Sequence, residues 1–257
     1  MIENIKHILL ISSGKGGVGK STVAANIAGA LSLLGKSVGV LDADVHGPSQ
    51  HQMFGIEYKE QTFDFNNLSP IDSNGIQILS SAAFRPSSQA TVWQGAMVST
   101  VINTMFFNTN WPELDVLVVD MPPGTGDVQI EICKKLPSAK AVIVTTPQQV
   151  ALIDTLKGVS MFKSAGIEIL GVVENMNLYQ CRNCGDIVHL FGKSRTQDFL
   201  SNENLKLLGS LPIEISLAES ADLGLPLVLR DSTINEAKTI IEISAAITAQ
   251  LGTNNAI

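Results

Sequence analysis

A chain of 257 residues, 45% hydrophobic, 16% charged and 5% aromatic, has an ordinary globular composition, with room for one large α/β core or two small domains. Its formal net charge of −7 argues against a nucleic-acid partner, which is bound mainly through Lys and Arg, and weighs against docking on an anionic membrane. MIENIKHILL is not an export signal, and no stretch approaches the ~18–20 apolar residues that span a bilayer. The expected compartment is the cytoplasm, where thiols stay reduced, so the three cysteines point to metal or buried-thiol use before disulfides.

Short apolar runs then alternate with helical patterns along the chain. The first strand is predicted at Ile8–Ile11 and leads into Gly14-Lys15-Gly16-Gly17-Val18-Gly19-Lys20-Ser21-Thr22, followed by a helix over about 20–34. This is the complete pattern G-x-x-x-x-G-K-[ST] in its strand–loop–helix setting. Glycines let backbone N–H groups turn onto phosphate oxygens, and the helix N-terminus adds partial positive charge. Lys20 can reach the β- and γ-phosphates of ATP, and the Ser21 hydroxyl can ligate Mg²⁺. Lys15, directly after the first glycine, lies close to the phosphates of its own chain or of a partner.

A second strand, Val38–Leu41, ends in Asp42 and Asp44. Residues 55–75, rich in Asn, Asp and Ser, read as an irregular excursion before a strand at Ile76–Leu79 and a helix over 93–107. The next strand, Val116–Val119, ends in Asp120 and the segment Pro122-Pro123-Gly124-Thr125-Gly126, whose composition suits a nucleotide-dependent switch. A carboxylate leaving a buried strand beside a phosphate loop is placed to hold Mg²⁺ directly or through water, although Asp42 competes as a cap for the segment that follows. Further on come a helix over 127–135, a strand Ala141–Val144, a helix over 150–164, and a strand Ile169–Val173 followed by Asn175. The chain closes with an insertion at about 176–192, a helix over 193–201, a strand Leu207–Leu211 and a helix over 234–250. Continuous apolar strands separated by helices predict an α/β fold: one doubly wound, mostly parallel sheet flanked by helices, in a single P-loop NTPase domain spanning 1–257. Ligands of such a sheet sit at the carboxyl ends of the strands.

The insertion carries Cys181-Arg182-Asn183-Cys184-Gly185. This C-x-x-C spacing lets two thiolates face one ion from a tight knuckle, but supplies only half of a four-thiolate site. From spacing alone it reads as half of a metal or cluster site completed by a second subunit, as a redox disulfide, or as two uninvolved cysteines. His189 is a further candidate ligand that is more simply structural. Cys133, within IEICKKL, reads as a buried core thiol.

The form K-G-G-x-G-K-[ST] resembles the deviant Walker A ATPases, which include MinD, ParA, the arsenite-pump ATPase, the nitrogenase iron protein and the Mrp/ApbC proteins. Over nearly its whole length the chain most resembles the Mrp/ApbC iron–sulfur cluster carriers, through GKGGVGKST, LDADVHGPS, WQGAMV, DMPPGTGD, TTPQQVAL and ENMNLYQCRNCG. The resemblance implies a Mg-dependent ATPase and a nucleotide-sandwich homodimer in which Lys15 crosses to the partner's nucleotide. It makes Asp120 the Walker B residue, Asp44 the group that positions or activates the attacking water, Asp42 a support of the metal shell, and Asn175 an adenine contact. It also implies that Cys181 and Cys184 of two subunits hold a labile bridging [4Fe–4S] cluster passed to apo-proteins. Four thiolates suit Zn²⁺ equally well by count, so a zinc-stabilised scaffold stays open, as does a ParA- or MinD-like positioning ATPase. The latter fits poorly, because Lys238 is the only basic residue in the last predicted helix. Many members of that family carry an additional N-terminal domain, and many show an arginine where Ala218 stands before Asp222-Leu-Gly224-Leu-Pro226; this sequence begins at the first strand.

Overall fold

The computed structural model describes residues 2, 4–58, 68–84, 95–192 and 194–252. In chain order the elements are β1 (Ile5–Ser12), α1 (Lys20–Leu33), β2 (Val38–Asp42), α2 (Gln50–Met53), β3 (Ile71–Ser73), β4 (Ile76–Ser80) and a 3₁₀ turn at Ser81–Phe84. Next come α3 (Gly95–Phe107), β5 (Leu114–Asp120), α4 (Asp127–Lys135), β6 (Lys140–Thr145), α5 (Gln149–Ser164) and β7 (Glu168–Asn175). The rest comprises β8 (Tyr179–Gln180), β9 (Ile187–Val188), α6 (Thr196–Glu203), β10 (Leu207–Leu211), α7 (Ile215–Asp222), α8 (Leu227–Arg230) and α9 (Asn235–Leu251).

Eight strands form one sheet in the order β10-β7-β6-β1-β5-β2-β4-β3, and β8 and β9 form a separate hairpin. All neighbours in the large sheet are parallel except β3 with β4. Burial on both faces explains the continuous apolar runs. Along β1, Ile8 and Leu10 enter one core with α3, α4 and α5, while Leu9 and Ile11 enter the other with α1 and α9. Along β5, Leu117 and Val119 take the first face and Val116 and Val118 the second. Alternate residues of one strand therefore feed two cores, as period-two geometry requires.

From β1 the chain crosses to β2 on one side, while from β5 it crosses to β6 on the other. The adjacent carboxyl ends of β1 and β5 thus mark the switch point of a doubly wound sheet, where a ligand crevice opens. The loop after β1 and the aspartate ending β5 both lie there.

The structure modifies the sequence reading in places. Within 55–75, Ile71–Ser73 is an antiparallel edge strand rather than irregular chain. It turns back through Asn74 and Gly75, whose φ values of 56° and 77° are those of a two-residue primed hairpin turn. Residues 59–67 and the first two positions of the helix predicted at 93–107, along with part of WQGAMV, lie outside the described residues. The helix expected over 193–201 starts at Thr196. Helices α2, α7 and α8 were not expected; they span eight residues or fewer and show no sustained period. Cys133 is buried in the core as expected, and burial pushes its thiol up to about 11.

Candidate nucleotide site and cysteine hairpin

The glycine loop connects the end of β1 to the first turn of α1 and lines a cleft of about 220 Å³ with Ser13, Asp44 and Pro123. Its glycines are needed for two separate reasons. Gly19 has φ +80°, and a Cβ there would stand 2.3 Å from the Asn175 amide nitrogen. Gly14 has ordinary φ, but a Cβ on it would strike the α5 backbone at Asp154 within 2.4 Å. The first glycine of the pattern is therefore fixed by helix packing, and the one before Lys20 by backbone conformation.

Among the residues singled out from sequence, Lys15, Gly16, Gly17, Gly19, Lys20, Ser21, Thr22 and Asp44 line the cleft. Gly14, Val18, Asp42, Asp120 and Asn175 stand behind it. Lys20 is buried and forms an ion pair with the wholly buried Asp120. An ion pair removed from water survives only when further hydrogen bonds satisfy it. Here the second Asp120 oxygen accepts a bond of 2.8 Å from Gln50 Nε2. Lys15 donates from Nζ to Gln148 Oε1 at 3.0 Å, so within one chain it bridges the loop to the residue preceding α5.

The parallel register sets Asp42 beside Asp120. Asp42 is fully buried and accepts from the backbone N–H groups of Ser49 at 2.8 Å, Gln50 at 2.9 Å and Asp44 at 3.2 Å, and from Ser80 Oγ at 3.0 Å. These bonds hold the start of α2, the capping arrangement weighed against a place in the metal shell. Burial first, and then the Asp120 charge, push its carboxyl up to about 7. Asp44 by contrast lies at the cleft, where Oδ1 accepts from His46 and Gly47 N–H at 3.2 and 3.1 Å and shapes that loop. Oδ2 is the carboxylate oxygen not used in that turn.

Asn175, expected at the adenine, donates to the Val18 carbonyl at 2.9 Å. It braces the loop from behind. The segment after Asp120 is tied to the loop as well: Gly124 N–H donates to the Ser13 carbonyl at 2.9 Å, and Gln129 Nε2 caps the Pro122 and Pro123 carbonyls at 3.2 and 2.6 Å. A change at the phosphates would be felt directly by the Pro-Pro-Gly segment.

Cys181 and Cys184 lie in the turn joining β8 to β9. Cys181 N–H donates to the Asp186 carbonyl at 2.9 Å, and Gly185, at φ +78°, donates to the Cys181 carbonyl at 2.8 Å. The N–H groups of Cys184 and Asn183 donate to the Cys181 sulfur and hold its thiol below the ordinary range. Cys184 is exposed and Cys181 partly so, and neither is in a disulfide. His189 places Nδ1 3.3 Å from the Asn177 carbonyl, which leaves its Nε2 outside that contact. Among the described residues no group of three or more His, Cys, Asp and Glu side chains could hold a metal within one chain. The hairpin offers two ligands and no more.

Gln50 was not anticipated. It stands in the polar run Ser49-Gln50-His51-Gln52, and no local pattern sets it apart.

A glycine loop at the switch point, a lysine–aspartate pair and a hydroxyl beside them define a nucleotide-binding protein of the P-loop class. A sequence model of the NUBPL iron-transfer P-loop NTPases matches residues 4–248, and the chain belongs to that family. An iron–sulfur cluster carrier protein of Aquifex aeolicus is 44% identical over 95% of this chain and 67% of its own length. One of Pseudomonas fragi is 44% identical over 98% of this chain and 88% of its own. The iron–sulfur cluster transfer protein NUBPL of Dictyostelium discoideum is 40% identical over 97% and 78%. Among solved structures, an ADP complex of a nucleotide-binding protein from Archaeoglobus fulgidus superposes with a TM-score of 0.75 at 32% identity, covering 88% of this chain and 89% of that one. The MinD cell-division ATPase of Pyrococcus furiosus, at 22% identity and a TM-score of 0.71 over 95% and 99%, shares the fold.

Proposed function

We propose that the protein is a Mg-dependent ATPase of one P-loop domain that carries a labile [4Fe–4S] cluster between two copies of itself and delivers it to apo-proteins. The observation that carries this reading is the half-complete thiol site: two cysteines, Cys184 exposed and Cys181 partly so with a lowered pKa, in a preformed knuckle on the chain that holds the phosphate loop. Thiolates are the ligand form for iron and zinc alike, and N–H groups aimed at sulfur favour it. Two knuckles supply four ligands, so a second copy is the simplest completion. The names of the carrier and transfer relatives support iron–sulfur cargo over zinc.

The nucleotide site fits the same reading. Backbone N–H groups and Lys20 would hold the phosphates, with Mg²⁺ between Ser21 and Asp120. Bound there, the ion would neutralise charge on the phosphates. Asp44, at the cleft with Oδ2 outside its loop turn, would orient the attacking water. Lys15 would exchange Gln148 for the partner's nucleotide. The α5 helix following Gln148 supports a face-to-face dimer, because Val150, Ile153 and Leu156 are exposed by 64%, 50% and 37% at helical spacing. No helix among the described residues is long and apolar enough to cross a membrane, and we place the activity in the cytoplasm without a nucleic-acid or membrane partner.

The test is anaerobic reconstitution with iron and sulfide, followed by absorbance and by iron, sulfide and zinc analysis. The wild type is expected to take up about four irons per dimer. The Cys181→Ala/Cys184→Ala variant is expected to take up none while binding nucleotide as before. A full cluster in that variant, or stoichiometric zinc without iron in protein isolated without oxygen, would overturn the assignment.

A further inference from the structure

Gln50 opens α2 and has no solvent exposure. Its Nε2 donates to two acceptors at once: Asp120 Oδ2 at 2.8 Å and the Ser21 backbone carbonyl at 3.0 Å. One carboxamide therefore ties together the two residues assigned to the metal, although they stand on different elements. Its own backbone N–H is held by Asp42, so the amide projects from a fixed base. Its carbonyl oxygen, Oε1, is buried without a hydrogen-bond partner. Leaving a buried acceptor unpaired is costly, and natural proteins keep such groups mainly where they serve a ligand or water.

The division of labour on Asp120 gives that amide its meaning. One carboxylate oxygen takes Lys20 and the other takes Gln50. A lysine that turns to a nucleotide phosphate gives up the first oxygen. Gln50 then remains as the side-chain tether that keeps Asp120 from rotating, and being neutral it adds no charge to compete with a cation. We propose that Gln50 is a positioning residue for the divalent cation: it orients Asp120 relative to Ser21, and its Oε1 accepts from a cation-bound water. A glutamine that only filled the core would contribute to stability and leave cation dependence untouched.

The proposal rests on Mg-dependent nucleotide use and is tested by fluorescent-ATP binding in Mg²⁺ and in EDTA, with Mn²⁺ binding followed by electron paramagnetic resonance. Gln50→Met keeps the volume and removes the amide. It is expected to lose about tenfold of the affinity gained from Mg²⁺, the range of one hydrogen bond to a charged group, and to weaken Mn²⁺ binding similarly. Affinity in EDTA is expected to stay within about twofold, since the phosphate cradle is untouched. Should Gln50→Met fail to melt cooperatively, Gln50→Glu keeps the shape and puts an acceptor against Asp120; the same loss or a larger one is expected. A Mg²⁺ gain and Mn²⁺ affinity equal to wild type in a folded variant would overturn the role of Gln50 alone. Absence of any Mg²⁺ gain in the wild type would overturn the nucleotide reading beneath it.

Discussion

Around the phosphate loop three polar side chains are paired inside one chain: Lys20 on Asp120, Asp120 also on Gln50, Asn175 on the Val18 carbonyl. At the cysteine hairpin the opposite holds. Cys181 and Cys184 have two backbone N–H groups aimed at one sulfur and no third ligand, and the flanking Ile187, Val188 and Leu190 stand exposed by 57%, 44% and 56%. The first site lies between two hydrophobic cores at the switch point of an eight-stranded sheet, whereas the second sits on a two-stranded ribbon that could not fold alone. The first site is braced within one chain, so its geometry does not wait on a second molecule. Under the proposed function, the exposed half-site would be completed by a second molecule, and exposure would leave it open to give its cargo away.

Lys20→Ala gives the sharpest contrast between the two regions. Removing one partner of a buried pair leaves the other charge uncompensated, at a cost of about 3–5 kcal/mol. The variant is expected to melt at markedly lower temperature without added nucleotide and to bind ATP roughly 10- to 100-fold more weakly, the equivalent of one or two charge-assisted bonds. Adding Asp120→Asn should restore much of the stability but none of the binding. Calorimetric melts and nucleotide titrations read both. Unchanged melting in Lys20→Ala would mean that the pair is not maintained in solution, and the contrast in completeness would lose its main support.

The same contrast governs what could be read from sequence. The phosphate loop was legible because its chemistry is written in consecutive residues, and the strands because burial on both faces leaves continuous apolar runs. Contacts that close over long separations left no such trace. Asn175 meets Val18 across 157 positions and Gln50 meets Asp120 across 70, so neither pairing shows as a period or a motif. Asp42 illustrates what only packing shows: a carboxylate at a strand end can hold metal or cap a helix, and the four donors around it appear only in the fold. The hairpin at Ser73–Ile76 was legible, since Asn-Gly before an apolar strand is a strong turn signal. The knuckle was visible as C-x-x-C, but only the fold shows that no third His, Cys, Asp or Glu among the described residues joins it within one chain.

The three thiols provide a graded test of exposure and activation. Burial raises Cys133 from 9.0 to about 11, which lowers its thiolate fraction at neutral pH about 100-fold before steric protection is counted. Donated N–H bonds lower Cys181, so its thiolate persists to lower pH than that of an ordinary thiol. Timed alkylation with iodoacetamide at pH 7, read by mass spectrometry, is expected to label Cys181 rapidly and leave Cys133 unlabelled in the folded protein. Lowering the pH by one unit should slow Cys181 less than it slows free cysteine. A bound cluster should protect Cys181, and equal labelling of Cys133 and Cys181 would contradict the difference between core and hairpin.

The smallest effect concerns how the exposed ribbon is held to the body. Arg182, between the two cysteines, pairs with Glu214, which also accepts from Ser216 N–H at the start of α7. The arginine is 59% exposed, so solvent screens the pair and leaves it little net worth. Arg182→Ala should therefore leave the melting temperature almost unchanged. It frees the ribbon to sample more orientations, and a site assembled from two copies then has more disorder to overcome; iron or zinc affinity is expected to fall about two- to fivefold with nucleotide binding unaltered. Glu214→Ala removes the pair and the helix cap together, so it should reproduce the metal effect and add a small loss of stability. If Arg182→Ala weakens nucleotide binding as much as metal binding, the ribbon and the phosphate loop are coupled more tightly than their separate sheets imply, and the two regions would have to be treated as one site.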